Sequence, residues 1–92
     1  MLTDAQRLAA AIAERAGQAA RRGDYQTAMK ELDEAERIAP RFARVHQYRA
    51  NVAFLMGDRD TALRALRQAL AIEPDNALFR ANLRRLEQQT GP

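Results

Sequence analysis

The residues that could do chemistry are few. His46 is the only histidine and cysteine is absent, so the ligand set of a zinc site and the paired groups of an activated nucleophile are both missing. A lone histidine of this kind is expected to be packed or partly exposed as a structural residue. Carboxylates are plentiful but lie singly on polar stretches, and Asp58 and Asp60 are placed to start a helix rather than to share a proton as an acid/base dyad. Gly17, Gly23, Gly57 and Gly91 form no phosphate loop, since neither a Gly-x-Gly cluster nor a Gly-Lys-Ser/Thr follows a strand-like run. No catalytic, metal-ligating or cofactor-binding set is expected. What remains is the chemistry of recognition: arginines, amides, and the aromatic and apolar residues Tyr48, Phe54 and Leu55.

Those residues need elements to hold them, and the sequence marks the elements by repetition. Gly23-Asp24-Tyr25-Gln26-Thr27-Ala28 returns 34 residues later as Gly57-Asp58-Arg59-Asp60-Thr61-Ala62, and Leu32/Leu66, Ala35/Ala69, Ile38/Ile72 and Pro40/Pro74 keep the same offset. A period of this length signals a helix-turn-helix solenoid. Glycine enters the left-handed conformation without a side-chain penalty, and an Asp just after it caps the next helix, so Gly23-Asp24 and Gly57-Asp58 read as hinges between antiparallel helices.

In chain order, Thr3 with Gln6 forms a capping box that starts a helix near Asp4, and Leu8, Ile12, Ala16 and Ala19 give it an apolar stripe. A second helix from Tyr25 carries Ala28, Leu32, Ala35 and Ala39 on one face and stops before Pro40. A third, about Phe42 to Met56, carries Val45, Val52, Ala53 and Met56; a fourth, about Arg59 to Ile72, carries Ala62, Leu66, Ala69 and Leu70. Phe79, Leu83 and Leu86 define a fifth, which fades into the polar tail Gln88 to Pro92.

The hinge triplet Gly23-Asp24-Tyr25, the small residues Ala28, Ala62, Ala35 and Ala69, and the closing Pro40 and Pro74 resemble the tetratricopeptide repeat. The resemblance implies an all-α fold, a right-handed α-α superhelix of five antiparallel helices forming one domain over 1–92: repeats at about 9–42 and 43–76, then a capping helix at about 77–89. It also implies a protein-protein interaction scaffold or adaptor whose first helices line a concave groove for a partner peptide. The groove would draw on Glu14, Arg21, Arg44, Gln47, Tyr48, Asn51, Phe54, Leu55, Leu78, Asn82 and Arg85. Asn51 and Asn82 coincide with asparagines that touch the peptide end in members recognising chaperone C-termini, whereas Gln47 stands where those members carry Lys. The arginines suit an acidic or C-terminal partner segment.

Consecutive Phe54-Leu55-Met56 cannot all face one neighbour at 100° per residue, so part of the trio is expected at the surface, available to a partner or to a second copy of the chain. Two and a half repeats, near the lower limit of about three for a stable stack, favour the same homo-oligomer alternative. Net charge is +3, with 14 Arg against the single Lys30, which points to an Arg-favouring, bacterial genome more than to nucleic acid. The arginines are interleaved with acids along every helix and no aromatic-basic platform accompanies them, so a nucleic-acid partner is not expected. No apolar run reaches the roughly 18 residues of a membrane span, no helix has a basic face opposite bulky aromatics, and Met1 to Gln6 lacks the layout of a signal peptide. A cytoplasmic protein with no membrane partner is expected.

Overall fold

A computed structural model describes residues 1–89 as five helices: α1 (Asp4–Arg21), α2 (Tyr25–Ile38), α3 (Ala43–Leu55), α4 (Arg59–Ile72) and α5 (Ala77–Gln88). Gly91 and the end of the expected polar tail lie outside the described residues. No strand occurs among the described residues, and the helices stack as a tetratricopeptide-repeat-like α-α solenoid, a slab of 43 × 32 × 15 Å.

The capping chemistry sets the helix boundaries. The Thr3 hydroxyl accepts from the Gln6 amide at 3.0 Å while the Gln6 side chain accepts from the Thr3 amide at 3.0 Å, closing the box that starts α1. Gly23 and Gly57 take φ of +84° and +78°, the left-handed turn that ends α1 and α3. Asp24 Oδ1 then accepts from the Thr27 amide at 3.3 Å, and Asp58 Oδ1 from the Thr61 amide at 3.1 Å. The second cap is the tighter of the two, because Thr61 Oγ1 also donates to Asp58 Oδ2 at 2.7 Å. Asn76 opens α5 by accepting from the Phe79 amide at 3.0 Å.

α1 pairs with α2 and α3 with α4, while α3 also packs on α1 and α2. Ala9, Ala13, Ala16, Ala28 and Ala35 are fully buried together with Leu32, so methyl-sized side chains let the paired axes approach. Because α3 is enclosed on several sides, its buried residues Val45, His46, Ala50, Val52 and Ala53 do not form one stripe. Leu8 departs from the expected stripe, whereas Met56 belongs to the trio expected in part at the surface. Leu8 is 53% exposed, and Met56 is 42% exposed at the corner where the chain turns.

Arg15 and Arg49, which fall at one offset in the two units, tie both first helices to α2. Arg15 pairs with Glu31, and Arg49, only 13% exposed, pairs with Asp33 and Glu36, each at 3.0 Å. α5 differs from α1 and α3 in the residues facing outward. Where α1 has Ile12, Ala16 and Ala19 and α3 has His46, Ala50 and Ala53, all buried, α5 has Arg80, Arg84 and Glu87, all exposed. Only Phe79 and Leu86 are buried in α5, against α4 and its neighbours.

Candidate functional site

Two clefts open on the face formed by α1, α3 and α5. The first, between the C-terminal part of α1 and α3, is lined by Arg21, Arg44, Gln47, Tyr48 and Asn51. The second, about 170 Å³, lies between α3 and α5: Ala50, Leu66, Leu86 and Phe54 supply its apolar wall, and Asn51, Asn82, Arg85 and Gln89 its polar rim. Asn51 belongs to both, so the clefts adjoin across one turn of α3.

Helical periodicity accounts for the convergence. Arg44, Gln47, Tyr48, Asn51 and Phe54 follow one another at three- and four-residue spacing, so they project along one side of α3. Asn82 and Arg85 are likewise three apart on α5, where Arg85 Nη2 donates to Asn82 Oδ1 at 2.7 Å. The Tyr48 ring rests on α1 at Gly17: a methyl group built there would stand 3.4 Å from Tyr48 Cε1. The Arg44 guanidinium lies over the Phe42 ring, 5.4 Å from its centroid. Leu55 lines neither cleft. It is 51% exposed, beside Phe54 at 55%, and its carbonyl accepts from the Tyr25 hydroxyl at 3.4 Å. Leu78, 56% exposed, also lies outside both clefts, as does Glu14.

The electrostatics of this face are one-sided. Arg21, Arg44 and Arg85 border the clefts, no acidic residue lines either, and none of the three makes an ion pair among the described residues. The acids of α2 are instead engaged with Arg15, Arg37 and Arg49. His46 is remote from this chemistry. It is 4% exposed, and burial pushes its imidazole pKa down from 6.5; Arg49 adds to that, while Glu36, the Gln68 side chain and the Pro40 carbonyl oppose it.

Sequence reasoning missed Arg59. Its Nη2 donates to the Leu86 carbonyl at 3.2 Å and its Nε is buried without a partner, so it fastens the end of α5 to the second hinge. Tyr25, at the same offset in the first hinge, fastens the end of α3. The shared offset was the available signal, hidden by the change from an aromatic to a cation. No helix among the described residues is long and apolar enough to cross a membrane.

Comparison with curated proteins gives no match. The family model described as Tetratricopeptide repeat matches residues 43–76, which span α3, α4 and the turn before α5. A matched repeat inside five helices stacked in this order fits a tetratricopeptide-repeat-like protein.

Proposed function

We propose that the protein is an adaptor that holds a segment of a partner protein across the α1/α3/α5 face, with no chemistry of its own. Its working unit comprises two repeats, about 9–42 and 43–76, with α5 as a polar cap; the exposed Arg80, Arg84 and Glu87 support that role for α5. The observation that carries the reading is the meeting of two clefts at Asn51, where amide, guanidinium, phenol and apolar groups from three helices share one surface. Tetratricopeptide repeats bind protein partners, and Tyr and Arg are the residue types that contribute most at such interfaces. Tyr48, Asn51 and Arg85 are assigned as principal contacts, with Arg44, Gln47, Phe54 and Asn82 completing the set.

The test is affinity capture from the source cell with wild type beside a Tyr48→Ala, Asn51→Ala double variant of unchanged helicity. Loss of the captured partners supports the groove; the same partners retained at the same level reject it.

Leu55 favours a second reading, in which Phe54, Leu55 and Met56, exposed by 55%, 51% and 42%, join two copies of the chain. Light scattering at high concentration decides it. A 10.4 kDa species throughout excludes self-association.

A further inference from the structure

The two hinges hold equivalent places in the repeat but present opposite charge, and the helices that lead into them end differently. α1 closes on Arg21 and Arg22, exposed cations that complement the negative end of the helix. At the same offset α3 closes on Leu55 and Met56, 51% and 42% exposed, and its last turn carries no basic residue. α3 thus forgoes a favourable charge at its end for two apolar side chains left half in water, which its own packing does not explain. Past the glycines, Tyr25-Gln26 of the first hinge becomes Arg59-Asp60 in the second. Arg59 is turned inward onto the Leu86 carbonyl, which leaves the outer surface of the second hinge to the exposed Asp58 and Asp60. The first hinge keeps one carboxylate, Asp24, which caps α2, against Arg21 and Arg22. None of Arg21, Arg22, Asp58 and Asp60 makes an ion pair among the described residues.

Both hinges lie along one edge of the slab, because each joins a first helix to a second at the same end of the stack. The Tyr25 hydroxyl donates to the Leu55 carbonyl at 3.4 Å, which sets the end of α3 beside the first hinge. Along that edge the surface runs from basic (Arg21, Arg22) through apolar (Leu55, Met56) to acidic (Asp58, Asp60). A row in this order is complementary to itself after half a turn: apolar meets apolar, and each basic pole meets an acidic one. Resting on the reading that Phe54, Leu55 and Met56 join two copies of the chain, we propose that the copies meet along this hinge edge about a two-fold axis through Leu55 and Met56, with Arg22 of each facing Asp58 and Asp60 of the other. Burial of the apolar pair drives the contact. The exposed ion pairs, weak in themselves, fix its direction and disfavour the alignment in which like poles meet. Leu55 and Met56 line neither cleft, so the contact is centred off the α1/α3/α5 face.

The experiment is sedimentation equilibrium of the full chain from low to high concentration, where the mass is expected to rise from 10.4 kDa to twice that value and no further. Leu55→Ser with Met56→Ser is expected to leave only the monomer. Arg22→Glu makes both poles acidic and Asp60→Arg makes both basic, so either change alone is expected to weaken the dimer about tenfold or more. Mixed in equal amounts, the two variants are expected to regain wild-type association as a heterodimer, because every pole again meets its opposite; a variant that had merely misfolded is not rescued in this way. A 10.4 kDa species at every concentration overturns this proposal and the self-association reading together. A dimer that is lost in the Ser variant but indifferent to both charge reversals, or weakened by them without rescue on mixing, overturns the two-fold edge and leaves the apolar trio as the contact. A dimer that survives the Ser variant removes the trio as well. A mass that keeps growing with concentration shows a head-to-tail contact that does not close, and overturns the two-fold pairing.

Discussion

The α1/α3 junction and the α3/α5 junction are built from the same repeat offset, yet the first is closed beneath its cleft, which is lined by α1 and α3 alone, and the second is open down to Leu66 of α4. At the first, Gly17 leaves room for the Tyr48 ring and the two helices lie in contact. Shifted by one repeat, Gly17 becomes Asn51 and Tyr48 becomes Asn82, two amides in place of a ring on a glycine. α5 accordingly leans on α4 and hardly touches α3, and the space left over is the second cleft. A solenoid can thus turn a junction into an open cleft without changing its helices, by exchanging one small-against-large pair for two polar residues of middle size.

The largest effect that separates the junctions is expected in their buried leucines. Leu32, wholly buried under the closed junction, and Leu66, at the wall of the open one, are equivalent by offset. Leu32→Ala leaves a cavity with no outlet and is expected to cost about 3 kcal/mol in urea unfolding. Leu66→Ala opens onto an existing cleft, so its loss is expected to be smaller. Equal losses, or a larger one at Leu66, would show that the open junction is as tightly packed as the closed one.

His46 tests the same asymmetry through pH. It sits on α3 where α1 has Ile12, and burial holds its folded-state pKa below 6.5. With the folded pKa depressed, the unfolded chain binds the proton more readily, so stability is full above the unfolded pKa and falls as pH drops through the folded one. The carboxylate of Glu36 and the cation of Arg49 face the ring from α2 and α3, and Gln68 faces it from α4. Urea midpoints at about pH 7.5 and about pH 5 are expected to decline in the wild type and to decline less in His46→Leu. Matching declines would mean that the carboxylates, not the imidazole, carry the acid sensitivity.

The hinges come next in size. Gly23 and Gly57 both adopt positive φ, and a Cβ at either would meet no neighbour within 4 Å, so the cost of alanine is conformational alone. Each Gly→Ala change is expected to cost about 1 kcal/mol. Similar losses at the two hinges would confirm that the repeat units differ in their junctions and not in their turns. A much larger loss at Gly57 would show that Arg59, which grips the end of α5 from that hinge, depends on the turn geometry.

Much of the fold was legible in the residues. The capping box at Thr3, the glycine hinges and the proline stops carry local physics that acts wherever they occur, and the 34-residue offset linked them into repeats. The surplus of apolar residues at Phe54, Leu55 and Met56 was legible for the same reason, because helix geometry forbids three consecutive side chains one neighbour. Tertiary detail was not. Leu8 matched the stripe by spacing, yet it is 53% exposed. Arg15 and Arg49 looked like polar intrusions into a core face, whereas pairing with the acids of α2 makes them bridges. The division of the groove into a basic cleft and an apolar one also depends on how far α5 stands from α3, which no pattern within a single helix encodes.

The smallest effect bears most directly on why one junction is closed. Gly17 lies inside α1, where glycine is a poor helix former, and an alanine Cβ would sit 3.4 Å from Tyr48 Cε1, within ordinary contact distance. Gly17→Ala therefore gains helix propensity at almost no steric cost and is expected to raise stability by about 0.5–1 kcal/mol. Gly17→Asn, which copies the residue found at Asn51, carries a longer side chain into the space of the Tyr48 ring. The ring must then swing away from α1, which should deepen the cleft that Tyr48 already lines and raise the solvent accessibility of Tyr48 in fluorescence quenching. If the Asn variant leaves Tyr48 as protected as before, glycine is not what closes this junction, and the difference between the two interfaces must come from the lean of α5 onto α4 alone.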